Sequence, residues 1–157
     1  MTLPVRRALL RRGFAFLAFT LCGHAPAATE PLITADESAR EQRRLDAPVA
    51  VARLRAAGAP RIDVVAPDLD APVAAPVSFR IRFVADSPAT IDPASLKVYY
   101  GAFRIDITER LLKQAQIVGD TLELADAKIP AGTHRLLVKV KDTLDHVGER
   151  LITLTVK

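Results

Sequence analysis

The sequence predicts an all-β sandwich of about seven short strands over residues 60–157, with a short helical insert near 108–116. Three observations carry this. From Arg61 onward apolar residues recur with a period of two; Pro, Gly and Asp clusters separate the apolar runs; and seven such short runs fit into about 98 residues. The preceding 59 residues read differently, as an export signal over 1–27 and a flexible arm over 28–59.

The signal reading rests on three parts. Arg6, Arg7, Arg11 and Arg12 form a basic region, an apolar run follows over 14–22, and Ala25-Pro26-Ala27 puts small residues where a signal peptidase needs them. Cleavage is expected after Ala27. The run is shorter than a helix spanning roughly 30 Å of hydrocarbon, so no stable membrane insertion is expected afterwards. "RRGF" at 11–14 also suits twin-arginine export, although basic residues before an apolar run are commoner in general secretion. Cys22 makes a poor lipoprotein site, because Leu21 stands where a small residue is needed.

Charge and cysteine narrow the function classes. Lys and Arg number 22 against 18 Asp and Glu, but four of the basic residues precede residue 28 and no acidic one does. The remainder is balanced, so a basic footprint for nucleic acid or anionic lipid is expected to be absent after cleavage, and DNA binding is set aside. Cys22 is the one cysteine, so after cleavage neither a disulfide nor a thiolate site is available.

The arm contains "ADESAREQRRLD" at 35–46, a marginal helix that Asp36 is placed to cap. Its apolar stripe is thin, essentially Ala39 and Leu45, so it is expected to add little to folding unless a partner orders it. Then the strands begin. Ile62 and Val64 share one face. In "VSFRIRF", Val77, Phe79, Ile81 and Phe83 face in while Ser78, Arg80 and Arg82 face out. Leu96, Val98 and Tyr100 follow, and Gly101-Ala102 suits a two-residue turn into Phe103, Ile105 and Ile107. "TERLLKQAQ" at 108–116 is the helical insert, with Thr108 as N-cap and Leu111 and Leu112 over one end of the core. Leu122 and Leu124 come next, then Leu136, Val138 and Val140, and last Ile152, Leu154 and Val156. Exposed Arg on "VSFRIRF" argues against an edge there, which leaves the Arg61 and Lys157 strands as the expected edges.

"IPAGTHRLLVKVKD", with Gly148 and a last strand ending at Val156, resembles the closing half of bacterial immunoglobulin-like domains of the Ig and fibronectin type III kind. "APRIDVVAP" and "TIDPASLKVYY" resemble their opening and middle. The likeness covers 60–157. It departs from the usual form in the five residues between Asp142 and Gly148 and in the insert at Thr108. It implies a sandwich without the Cys pair and core Trp of antibody domains.

Chemistry is sparse. His134 shares a face with Leu136, Val138 and Val140, where the resemblance implies an inward ring whose polar tip bonds nearby backbone. His146, with Asp142, Asp145 and Glu149, fits neither a Ca²⁺ loop nor a Zn²⁺ set and reads as a solvated acidic loop. Ser38, Ser78, Ser87 and Ser95 lie in no nucleophile elbow, there is no Trp, and no Gly-rich phosphate loop occurs. No catalytic, cofactor or metal residue is therefore assigned. The expected role is a periplasmic or secreted, non-catalytic binding or spacer module of the cell envelope. Its expected partner is another envelope protein. The alternative is a carbohydrate- or metal-binding module using the loops at one end.

Overall fold

A computed structural model describes residues 30–46 and 56–157. The signal reading over 1–27 lies outside the described residues. Helix α1 (Ala35–Gln42) precedes strands β1 (Arg61–Ala66), β2 (Val77–Val84), β3 (Ile91–Tyr100) and β4 (Ile105–Asp106). Then come helix α2 (Thr108–Leu112) and strands β5 (Ala115–Val118), β6 (Thr121–Ala127), β7 (Gly132–Asp142) and β8 (Val147–Val156). Two antiparallel four-stranded sheets result, in the orders β1-β2-β6-β5 and β4-β3-β7-β8. Their inner faces enclose one core, in which Phe79, Ile81, Phe83, Val98, Leu122, Leu136, Val138 and Ile152 are all buried.

Alternation fixes which side chains enter. β2 buries Val77, Phe79, Ile81 and Phe83 and exposes Ser78, Arg80 and Arg82, because a register slip of one residue would exchange the two sets. β7 and β8 pair without interruption from Gly132↔Val156 to Lys141↔Val147. The β1 and β8 strands do lie at sheet edges, as their sequences suggested.

Four expectations change. The arm is packed over its described part: Leu32 and Ile33 belong to the core cluster, and the Leu32 N–H donates to the Lys128 carbonyl at 3.2 Å. Two apolar residues between Pro31 and Thr34 show no period, so pattern reading passed over them. α1 is capped by Thr34 rather than Asp36: the Thr34 hydroxyl accepts from the Glu37 N–H while Glu37 accepts from the Thr34 N–H. The Gly101-Ala102 turn extends over 101–104, closed by Arg104 N–H to Gly101 O at 3.1 Å, and this swings Phe103 out to 59 % exposure. Finally, the 108–116 insert, expected as a helical turn or two, is one turn, but its cap, its outer leucine and its end differ from expectation. Ile107 precedes α2 as its N-cap, Leu111 is buried, Leu112 is exposed, and the chain enters an eighth strand at Ala115.

Candidate functional site

The two histidines set apart by the sequence do different work. His134 is fully buried. Its Nε2 lies 2.8 Å from the Pro130 carbonyl, which only accepts, so Nε2 carries the proton and Nδ1 accepts from the Tyr100 hydroxyl at 2.9 Å. Burial pushes the imidazole below its ordinary pKa and the Tyr100 phenol above its own. The ring is neutral, satisfied on both nitrogens and sealed from solvent.

The loop around His146 is exposed to solvent over 143–147, as its composition suggested, but His146 also holds Asp142 in place. Asp142 is buried at 3 % exposure; one oxygen accepts from the Leu144 and His146 N–H groups and the other from His146 Nδ1, each at 2.9 Å. Burial works to raise that carboxyl, but the donated hydrogen bonds outweigh it and hold it below the carboxylate range. The other acidic residues are turned elsewhere, Asp145 to Lys141 and Glu149 to Lys139. Among the described residues no group of three or more His, Cys, Asp or Glu is gathered to hold a metal. Ser95 is also engaged, donating to Asp92 O and accepting from the Lys141 N–H.

A polar latch joins α1 to the sandwich. Glu41 is 2 % exposed and pairs with the Arg135 guanidinium, and its other oxygen accepts the Ala102 N–H at 2.8 Å. Arg135 also donates to the carbonyls of Arg44 and Leu45. Gln42 reaches the Thr133 carbonyl at 2.7 Å. Arg110 bridges Glu37 and the Leu32 carbonyl. Burial raises the Glu37 carboxyl, but Arg110 and the Thr34 N–H prevail and lower it. These contacts explain why a helix with a thin apolar stripe stays docked: its inward face is polar and matched.

The sheet edges differ in how they are closed. Along β1 the Ile62 carbonyl accepts from Arg150 at 2.6 Å, and Gly148 of β8 leaves room for Pro60 O, which a Cβ there would meet at 2.3 Å. The β8 edge is bridged by Val73, whose N–H donates to Thr155 O and whose carbonyl accepts from the Lys157 N–H. β4 is two residues long. Among the described residues β5 has none of these protections. It joins β6 through a two-residue turn at Gly119-Asp120 with Gly119 at φ +58°, in the register Val118↔Thr121 and Gln116↔Glu123. In such a hairpin the residues flanking the turn exchange both hydrogen bonds. Val118 and Gln116 thus spend theirs on β6, and the backbone groups of Ala115 and Ile117 point to the outer side. There β5 pairs with no strand among the described residues. "AQIV" carries neither charge nor proline, Ala115 and Ile117 pack against the core, and Val118 is 62 % exposed.

β5 was missed in the sequence because helix-forming residues run through Gln116. The Gly119-Asp120 pair between "QIV" and "TLEL" was the available hairpin signal. Among the described residues no helix is long and apolar enough to cross a membrane. No family model, no curated protein and no solved structure matches the chain.

Proposed function

We propose that the chain is an exported, non-catalytic immunoglobulin-like binding module of the bacterial cell envelope, which takes up an extended segment of another envelope protein by strand addition at β5. The observation that supports this reading is the edge at Ala115–Val118, uncharged and, among the described residues, unpaired where the other edges are closed. Strand addition draws affinity from main-chain hydrogen bonds and specificity from alternate side chains. Here the outward backbone of Ala115 and Ile117 supplies the first, and the Gln116 and Val118 side chains supply the second.

The test is capture from envelope extract by immobilised protein, wild type against Ile117→Pro. Proline keeps an apolar side chain at the half-buried position, removes the outward N–H, and is tolerated on an edge strand. A stoichiometric protein partner that Ile117→Pro loses at least tenfold, with the thermal midpoint little changed, is the expected result. Equal capture by both, or recovery of a glycan or metal in place of a protein, contradicts the reading.

A further inference from the structure

The 101–104 turn and the C-terminal turn of α1 meet at the surface, and they are held there firmly. The Glu41 carboxylate accepts the Ala102 N–H, the Gly101 N–H donates to Arg135 O at 2.8 Å, and the turn places Gly101 at φ +68° and Arg104 at φ +51°. A non-glycine residue in the left-handed region costs energy and persists only where its surroundings impose it. The outcome is an aromatic ring presented to water: Phe103 is 59 % exposed, with the Arg44 guanidinium over it at 5.4 Å from the ring centroid.

Arg40, Arg43, Arg44 and Arg104 are all exposed. None has an ion-pair partner among the described residues. The carboxylates of the same helix that could neutralise them, Glu37 and Glu41, are committed to Arg110 and Arg135; Asp36 is exposed at the helix's other end, and exposed Asp46, two residues after Arg44, offsets one of the four charges. The balanced total charge thus hides a local excess. Arginines at a helix C-terminus also complement its dipole, but that role does not account for a phenylalanine held out beside them.

We propose that this tip docks on anionic phospholipid headgroups, Phe103 entering the boundary layer and the arginines binding phosphate. Guanidinium planes offer bidentate donors to phosphate. A tip with one exposed aromatic residue suits a fluid headgroup layer, which moulds itself to the protein, better than a protein interface, which needs roughly 800 Å² of complementary area from each partner. Peripheral attachment of this kind needs no spanning helix.

The test uses the chain as its host produces it, sedimented with vesicles of phosphatidylglycerol and phosphatidylcholine or of phosphatidylcholine alone. Wild type is expected to bind the anionic vesicles selectively and to be released by salt. Each basic residue near an anionic surface is worth about fivefold. A triple Arg40→Gln, Arg43→Gln, Arg44→Gln variant should therefore bind about 100-fold more weakly, and Phe103→Ser several-fold more weakly. All variants keep the same N-terminus, so the differences read this tip alone. Undiminished binding by the triple variant, no preference for anionic vesicles, or binding to an acidic polypeptide in place of vesicles would overturn the proposal.

Discussion

Replacing Leu32 by Ala separates a packed N-terminal segment from a loose arm. Leu32 is 1 % exposed and meets Phe79, Leu111, Leu122, Leu136 and Ile152 around a void of about 20 Å³ between the sheets. Leu→Ala removes three carbons, about 0.8 kcal/mol each for lost burial. A cavity contribution of similar scale follows if the surroundings do not collapse. They have little freedom to do so, since the Leu32 carbonyl is held by Arg110 and its N–H by Lys128 O. The expected loss is about 4 to 5 kcal/mol, at the upper end of the range for buried leucine truncations. In a domain of this size that corresponds to a fall of roughly 15 °C in thermal midpoint. Urea unfolding followed by circular dichroism reads it directly, with exposed Asp36→Ala as a control expected within about 0.5 kcal/mol. A loss below about 0.5 kcal/mol for Leu32→Ala would refute the packing described, and residues 30–46 would then be the loose arm their sequence suggested.

Three further outcomes follow from the buried polar groups. Glu41→Ala removes the carboxylate paired with the Arg135 guanidinium in a site only 8 % exposed and is expected to cost about 3 to 5 kcal/mol in urea unfolding, whereas Glu41→Ala combined with Arg135→Met should recover much of that. His134 is held neutral below its ordinary pKa, so the unfolded chain binds a proton that the folded chain refuses; stability is full above about pH 6.5 and declines as pH falls from there. His134→Gln should remove that slope from a pH series of thermal midpoints. Asp142 has a depressed carboxyl, so its contribution is present above about pH 4 and is lost as pH falls through the folded value. His146→Ala removes one donor to it, and the acid-unfolding midpoint should move to higher pH.

The strands were legible where one face is buried, since Val77, Phe79, Ile81 and Phe83 leave no other register for β2. His134 was legible for the same reason. What the sequence concealed depended on contacts distant in the chain. Glu41 and Arg135 lie 94 residues apart, and nothing local marks either as buried. Leu32 gains its meaning only from the gap between sheets that it lines, and Ile33 from the core cluster that it joins. Phe103 alternates correctly for an inward residue, yet the four-residue turn takes it out of the strand. The β5 segment shows helix propensity up to Gln116 and is overridden by pairing with β6, a tertiary preference outweighing a local one. The Asp142–His146 pair was visible as composition, although its geometry was not.

Amide hydrogen exchange along β5 tests the central claim most directly. In the isolated protein the outward amides of Ala115 and Ile117 should exchange quickly, while those of Gln116 and Val118, bonded to β6, should be slowed. Adding the envelope partner should slow Ala115 and Ile117 to the level of their neighbours. Slow exchange at Ala115 and Ile117 before any partner is added, or no change at either after it binds, would contradict the account of β5 as an open edge that accepts a strand.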